Sequence, residues 1–213
     1  MSGSGPIEHP TWLTSGDFTE ADEPLRLFTA WFEEASRREP RDPTAMSLAT
    51  VDADGLPNVR MVLMKGFDER GFVFFTNVDS QKGRELDSDR KARCCFTGNR
   101  STARCGCAGR WNGSKTPRPT PISRRARASP RSAPGPASSR RRSRAAMPSR
   151  RRSRCYAAKF RIGTVPRPPH WTGYRLQPLV IEFWQDRPFR LHDRIEFRRE
   201  APGAPWRKTR LYP

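Results

Sequence analysis

Residues 45–77 read "AMSLATVDADGLPNVRMVLMKGFDERGFVFFTN", and this stretch is the strongest indication of the fold class. It holds three apolar runs rich in β-branched and aromatic residues, separated by "DADG" and "DERG". Turn sequences of this kind between such runs are typical of β-hairpins. The stretch therefore predicts an antiparallel meander of three strands.

The C-terminal part of the chain predicts further strands. "LVIEFW" (179–184) is an apolar strand, "QDRP" is a turn, and "WRKTRLY" (206–212) is a last strand. Between them, "FRLHDRIEF" (189–197) predicts a strand whose side chains alternate between two faces. One face holds Phe189, Leu191, Ile195 and Phe197, and the other holds Arg190, His192, Arg194 and Glu196.

An amphipathic helix is predicted over residues 22–39, "DEPLRLFTAWFEEASRRE". Its apolar face contains Leu25, Phe28, Phe32 and Ala35, with Asp22 placed as the cap and Pro24 in the first turn. A helix followed by several short antiparallel strands predicts a mainly β fold, a small closed barrel with added helices.

The positive charge is concentrated in one block. The formal net charge is +19, and residues 97–154 carry 16 Arg, one Lys and no Asp or Glu. The rest of the chain is therefore nearly neutral. The block is dominated by Arg, Ser, Pro, Ala and Gly with no evident apolar period, so it predicts disorder. Residues 138–155, "SSRRRSRAAMPSRRRSRC", leave open an arm that binds nucleic acid.

Cysteine spacing and hydropathy bear on three properties of the protein: the redox state of its thiols, metal binding and membrane association. The five cysteines form no CxxC pair and have no His partners at zinc spacing, so we expect reduced thiols and no metal site. The chain shows no leader pattern and no apolar run approaching a membrane span. We therefore expect a cytoplasmic protein without a membrane partner.

Basic side chains on two predicted strands are candidate ligands for an anionic group. Arg190, His192 and Arg194 share one face, and guanidinium groups suit phosphate, although a solvated outer face fits the same spacing. Arg60 and Lys65 flank the apolar run "RMVLMK". No glycine-rich phosphate loop is present, so side chains would have to hold a nucleotide phosphate.

Three stretches carry a resemblance to a known family. "RMVLMKGFDERGFVFFTNVDSQKGREL" (60–86), "GTVPRPPHWTGYRLQPLVIEFWQDRPFRLHDRIEF" (163–197) and the ending "RLYP" closely resemble the pyridoxamine 5′-phosphate oxidase family. The resemblance covers close to two-thirds of the chain. It implies a homodimeric, FMN-binding split β-barrel, antiparallel and Greek-key-like.

The resemblance also implies roles for individual residues. The implied FMN ligands are Arg60, Met61, Val62, Leu63, Met64, Lys65, Phe75, Thr76, Lys82, Trp184 and Arg194. The implied substrate ligands are Lys65, Arg190, Leu191 and His192. Arg190 and His192 are the implied catalytic residues and would lie over the pyridine ring at the flavin face. Gln81 departs from the family, where many members have a second basic residue before the lysine. Weaker attraction for phosphate is expected there.

The activity implied is FMN-dependent oxidation of pyridoxamine or pyridoxine 5′-phosphate by dioxygen. The products would be pyridoxal 5′-phosphate and hydrogen peroxide, in vitamin B6 metabolism. Two alternatives stay open: a flavin-binding split-barrel protein without oxidase activity, and a nucleic-acid-binding protein that uses the arginine-rich segment.

The resemblance stops after Phe96. The family continues with His-Trp-Lys-Ser, whereas this chain has "TGNR". Written as TTC-ACT-GGA-AAT-CG, the codons from Phe96 yield Phe-His-Trp-Lys-Ser once a C is inserted after TTC. Shifted frames likewise turn residues 121–125 into Tyr-Phe-Ala-Thr-Arg and residues 130–136 into Gln-Ile-Gly-Ala-Trp-Ala. We hypothesise that residues 97 to about 156 are translated in a shifted frame of a GC-rich gene.

The hypothesis divides the chain into four segments. They are a flexible tail (1–21), a helix with the first barrel strands (22–96), an aberrant segment (97–156), disordered or misfolded, and the C-terminal strands for dimerisation and the active site (157–213). The family's remaining substrate-phosphate ligands, a Tyr, an Arg and a Ser, would fall in the aberrant segment. We therefore expect the chain as written to be a poor oxidase.

Overall fold

The computed structural model describes residues 17–38, 42–97, 103–112 and 170–213. Two α-helices and eight strands lie in these ranges. The helices are α1 (Pro24–Arg38) and α2 (Gln81–Asp89). The strands are β1 (Ala45–Val51), β2 (Pro57–Asp68), β3 (Gly71–Asn77), β4 (Lys91–Thr97), β5 (Ala103–Asn112), β6 (Trp171–Gln185), β7 (Asp193–Arg198) and β8 (Arg207–Leu211).

Six of the strands close into an antiparallel barrel. The order is β3-β2-β1-β4-β5-β6, and β3 also pairs with β6, which closes the ring. Strands β7 and β8 extend the sheet from the C-terminal half of β6. The predicted meander of β1, β2 and β3 and the predicted mainly β split-barrel fold are both confirmed.

The second hairpin needs its glycine. Gly71 has φ +120°, and a Cβ built on it would lie 2.0 Å from the carbonyl oxygen of Leu176 on β6. A side chain would therefore collide with the strand that closes the barrel. The turn "DERG" thus provides both the reversal of the chain and the close approach of β6.

Helix α1 covers one end of the barrel with aromatic side chains. The ring of Phe28, 2% exposed, makes edge contacts with Phe67, Phe72 and Phe96 at centroid distances of 4.8–5.0 Å. Offset and edge-to-face contacts of this kind are favourable beyond the area that they bury. The barrel and the helix therefore share one core.

The start of α1 differs from the prediction. The carboxylate of Glu23 accepts the hydrogen bond from the Arg26 N–H at 2.6 Å, whereas Asp22 pairs with Lys208 at 2.8 Å. The predicted cap at Asp22 is wrong by one residue.

Phe18 is 1% exposed, and its ring lies 5.0 Å from that of Trp31. Residues 17–21 therefore pack on the barrel and are no part of a flexible tail.

Strand β5 corrects the prediction that residues 97–156 are disordered or misfolded. It pairs along its whole length with β6 and from Arg104 to Arg110 with β4, so residues 103–112 complete the barrel wall. Its inward side chains are Cys105, Cys107 and Trp111, all at most 6% exposed. The prediction failed because C-x-C followed by Trp is a short apolar alternation that the surrounding arginines obscure. Residues 113–169, including the arginine-rich 138–155, lie outside the described residues.

The predicted strand 189–197 is shorter than expected. A single 3₁₀ turn occupies Pro188–Arg190, and β7 begins only at Asp193. Phe189 and Arg190 have φ of 59° and 61°. Both values lie in the left-handed region, which ends the alternation. Ile195 and Phe197 are buried as predicted, but Phe189 is 93% exposed and Leu191 is 67% exposed.

Candidate functional site

Arg60 and Lys82 form a cationic pair at the start of α2. Arg60 lies on β2 and points towards α2, where its guanidinium donates to the backbone oxygens of Leu48 and Asn58 at 3.2–3.3 Å. Lys82 lies in the first turn of α2, and its Nζ is 3.3 Å from Ser80 Oγ. Burial and the nearby Arg60 charge lower the pKa of Lys82. Two cations held together in this way favour an anion between them.

The start of α2 is a second feature that favours an anion beside Arg60 and Lys82. The Ser80 hydroxyl caps the helix by accepting from the Gly83 N–H at 3.2 Å. Gly83 has no room for a side chain, because a Cβ would lie 2.2 Å from the Val78 carbonyl oxygen. The helix is thus held tightly against the end of β3, with its N–H groups beside Lys82. Helix N-termini of this kind suit phosphate.

Glu85 holds Arg60 in place. Its carboxylate, 4% exposed, pairs with Arg60 at 3.0 Å and accepts from Asn58 Nδ2 at 2.9 Å. It also accepts from the Thr50 hydroxyl, which in turn contacts Arg60. Sequence reasoning missed Glu85, Asn58 and Thr50, since no local pattern links an acidic residue on a helix to two strands.

Lys65 lies at an irregularity of β2. Met64 pairs with Phe74 and Gly66 with Val73, so Lys65 is the extra residue of a β-bulge. A bulge turns one side chain away from the regular alternation and is frequent beside active sites. Lys65 is exposed, which is compatible with the predicted contact to a substrate phosphate.

The other implied FMN ligands near β2 and β3 differ in their exposure. Met61 is 66% exposed, and Val62, Leu63 and Phe75 are partly exposed. Met64 and Thr76 are 1% and 3% exposed, so their side chains belong to the core. A ligand could reach these two residues only through their backbone atoms.

A second cluster surrounds Trp184 at the end of β6. The His192 ring lies 4.7 Å from the Trp184 ring, and the Arg104 guanidinium lies 4.5 Å above the same indole. Arg194 donates to Glu182 at 2.7 and 3.1 Å, and to the backbone oxygen of Tyr212 at 2.9 Å. A groove of about 320 Å³ lies beside this cluster and is lined by Cys95, Arg104, Glu182 and Trp184 among others.

Arg190 and Leu191 lie on the exposed turn next to this cluster. Leu191 N–H donates to the Pro188 carbonyl at 3.2 Å, which closes the turn. Both side chains are exposed, whereas His192 is 22% exposed and faces inwards to Trp184. The expected row of Arg190, His192 and Arg194 on one strand face is therefore wrong, because residues 188–192 are not a strand.

The two clusters lie on different strands of the barrel. Arg60 lies on β2, and Trp184 lies at the C-terminal end of β6. Strands β1, β4 and β5 separate them, and the closing contact of β3 with β6 involves only residues 171–176 of β6. The assignment of all these residues to a single site stays a prediction that needs either a second copy or a long ligand.

The chain matches two protein families along most of its length. Residues 32–185 match the family described as "Pyridoxamine 5′-phosphate oxidase". Residues 171–213 match the "Pyridoxine 5′-phosphate oxidase C-terminal dimerisation region", which supports a homodimer. None of the described helices is long and apolar enough to cross a membrane.

Individual relatives agree with these matches. The pyridoxine/pyridoxamine 5′-phosphate oxidase of Nitrobacter hamburgensis is 51% identical over 225 aligned residues that cover the whole of both chains. Among solved structures, PhzG from Burkholderia lata is similar with a TM-score of 0.69 and 24% identity, covering 99% of this chain and all of that chain.

A pyridoxamine 5′-phosphate oxidase-related, FMN-binding protein from Nostoc punctiforme has a TM-score of 0.58 and 15% identity, covering 92% of this chain and all of that one. At these identities the two structures support the fold alone. The family matches and the full-length relative decide the assignment: this chain belongs to the pyridoxine/pyridoxamine 5′-phosphate oxidase family, whose members are oxidoreductases.

Proposed function

We propose that the protein oxidises pyridoxamine or pyridoxine 5′-phosphate with FMN as cofactor and dioxygen as electron acceptor. The observation that carries the proposal is the cationic pair of Arg60 and Lys82 at the capped start of α2. The pair fits the phosphate of FMN, because it offers guanidinium, ammonium and helix N–H donors together. The bound flavin would accept two electrons from the substrate and pass them to dioxygen.

The chain's own residues would bind and orient the reactants. Arg60 and Lys82 would hold the cofactor phosphate, and Glu85 keeps the Arg60 guanidinium in position. Lys65, turned outwards by the bulge, would hold the substrate phosphate. Arg190 and His192 would lie at the reacting end of the substrate ring, where His192 can accept or donate one proton.

We further propose that a second copy completes the site. Trp184, His192 and Arg194 form one cluster and Arg60, Lys65 and Lys82 another, and on one side of the barrel three strands lie between β2 and β6. In a homodimer, the first cluster of one protomer could face the second cluster of its partner. The match of residues 171–213 to a dimerisation region supports this arrangement.

A binding experiment tests the cofactor site. The protein is titrated with FMN, and quenching of flavin fluorescence is recorded for the wild type, Arg60→Ala and the exposed control Arg70→Ala. Loss of one charge-assisted hydrogen bond of about 1.5–3 kcal/mol should weaken binding by roughly 10- to 100-fold in Arg60→Ala. Equal affinity in all three proteins would refute the phosphate site.

A turnover experiment tests the reaction and the hypothesis of a shifted frame. Peroxide release from pyridoxamine 5′-phosphate with added FMN is compared for the chain as written and for a chain with residues 97–156 restored to the family frame. We expect fast turnover only in the restored chain. Equal turnover of both would refute the shifted frame.

The alternative of a flavin-binding protein without oxidase activity has one argument in its favour. Several ligand positions implied by the resemblance fall between residues 97 and 156, where this sequence departs from the family. FMN binding without peroxide release in both chains would favour this alternative.

A further inference from the structure

His192 Nδ1 lies within hydrogen-bonding distance of two groups, one of which is an acceptor and the other a donor. The carboxylate oxygen Oδ1 of Asp186 lies 3.0 Å away, and the backbone nitrogen of Arg187 lies 3.3 Å away. A carboxylate only accepts hydrogen bonds, so it needs a proton on Nδ1, whereas the Arg187 N–H donates and needs the Nδ1 lone pair. One ring nitrogen cannot satisfy both neighbours at once.

The contact with Asp186 is the stronger of the two. It is shorter, and its acceptor carries a charge, which strengthens a hydrogen bond relative to a neutral pair. Several other charged groups around the turn already have partners. The Arg187 guanidinium binds Asp193 at 2.8 Å, Asp193 also binds Arg210 at 3.0 Å, and Arg194 binds Glu182 at 2.7 Å.

The imidazole plane is also restrained. The ring lies 4.7 Å from Trp184 with an interplanar angle of 42°, and the side chain is 22% exposed. A 180° flip of the ring would place Cδ2 where Nδ1 now lies, and it would therefore break the contact with Asp186. Which of the two neighbours forms a hydrogen bond with Nδ1 therefore depends on which ring nitrogen carries the proton, and the ring itself does not move.

We propose that Asp186 is a positioning residue that keeps the proton of neutral His192 on Nδ1. Nε2 then has a free lone pair and acts as a hydrogen-bond acceptor. Without Asp186, the Arg187 N–H is the neighbour that remains, Nδ1 becomes an acceptor, and the proton moves to Nε2. The catalytic consequence rests on the proposed function, but the proton position itself does not.

Nitrogen NMR of the histidine side chains tests the proton position in the protein without ligand. Long-range ¹H–¹⁵N spectra recorded about two pH units above the usual histidine pKa of about 6.5 distinguish the two neutral forms. His192→Gln identifies the signals among the three histidines. We expect Nδ1–H in the wild type, Nε2–H in Asp186→Ala and Asp186→Leu, and the wild-type pattern in the control Asp54→Ala.

The result has two clear outcomes. A change from Nδ1–H to Nε2–H in both Asp186 variants supports the proposal, and Asp186→Glu should restore Nδ1–H. The same form in the wild type and in the variants overturns it. Asp186 is 53% exposed on a turn, so the variants are expected to fold, and their backbone spectra check this.

Activity gives an independent measurement. In a version that turns over pyridoxamine 5′-phosphate, Asp186→Ala should lower kcat about tenfold and change KM less than twofold, because the phosphate ligands are untouched. An unchanged kcat would overturn the catalytic part of the proposal. Absence of turnover in every version would count against the proposed function, while the NMR result would still decide the proton position.

Discussion

Arg60 on β2 and Glu85 on α2 form an ion pair in which Glu85 is almost fully buried. The Nη2–Oε2 distance is 3.0 Å, and the side chains are 22% and 4% exposed. Glu85 also accepts from Asn58 on the same strand. The pair fixes α2 against the barrel and orients the arginine that is proposed to hold a phosphate, so one contact serves both stability and binding.

Replacing Glu85 should therefore destabilise the fold. Glu85→Ala leaves the Arg60 charge partly buried without its main partner, and breaking such pairs costs about 3–5 kcal/mol. Because Arg60 stays partly solvated, we expect a loss near the lower end, about 3 kcal/mol, in urea unfolding. Glu69→Ala, on the exposed turn between β2 and β3, is the control and should change stability by less than about 0.5 kcal/mol.

Lys82 should show a trade-off between stability and binding. Burial and the Arg60 charge lower its pKa, so the ammonium is unfavourable in the free protein. Lys82→Met should keep or slightly raise the melting temperature of the FMN-free protein but weaken FMN binding roughly 10- to 100-fold. A variant that loses stability and keeps its affinity for FMN would contradict this assignment.

Two glycines provide a matched test of close packing. A Cβ on Gly83 would lie 2.2 Å from the Val78 carbonyl oxygen, whereas a Cβ on Gly106 would meet nothing within 4 Å. Gly83→Ala should lower the unfolding free energy by about 1–3 kcal/mol and displace the start of α2. Gly106→Ala should be neutral or slightly stabilising. Calorimetry of both variants would detect the difference, and equal melting temperatures would contradict the geometry.

Buried thiols should make stability fall at alkaline pH. The hydrogen bond with Cys107 and burial raise the pKa of Cys94 well above 9.0, and burial raises that of Cys107 likewise. The unfolded chain then loses its protons first as the pH rises, so the unfolding free energy should decrease above about pH 9. Burial raises the pKa of Tyr174 to about 12, which adds a similar loss only above about pH 10.

Urea unfolding at closely spaced pH values separates these contributions. In a double variant, Cys94→Ala with Cys107→Ala, most of the decrease in unfolding free energy between about pH 9 and 10 should be absent. The further decrease above about pH 10, which Tyr174 causes, should remain. A wild-type stability that is flat across the whole range would contradict the burial of ionisable thiols.

Phe189 should be a site where glycine stabilises the protein. Its φ is 59° and its side chain is 93% exposed, so it has a left-handed backbone without any compensating burial. Phe189→Gly should raise the unfolding free energy by about 1 kcal/mol, the usual cost of this conformation for other residues. At Leu191, with φ −84°, the same change to glycine should give no gain. Chemical denaturation of both variants measures the difference.

Much of the fold followed from local sequence. The β1–β3 meander and the β6–β7 hairpin were predictable because strand periodicity and turn chemistry act over a few residues. The α1 helix was predictable for the same reason, although its capping residue was not. The segments "RMVLMK" and "FRLHDR" also identified basic residues as candidate ligands, because their residue types alone indicate an affinity for anions.

Strand β5 was missed because its environment, rather than its composition, makes it a strand. Residues 103–112 hold enough small and apolar side chains to fill the barrel interior, and the hydrogen-bonding edges of β4 and β6 supply partners for their backbone. Taken alone, the same residues resemble the arginine-rich segment that follows them. Pairing between strands distant in sequence is decided by the whole sheet.

The amino-acid sequence alone shows which residue types are available for binding phosphate and at which positions along the chain they lie. Their contacts depend on the folded chain, in which Glu85 pairs with Arg60, a bulge turns Lys65 outwards, and Asp186 faces His192 Nδ1. The fold also placed the two clusters on different strands of the barrel. The physical reason is that periodicity specifies the face on which a side chain lies, whereas distances between elements arise only when the sheet closes and the core packs.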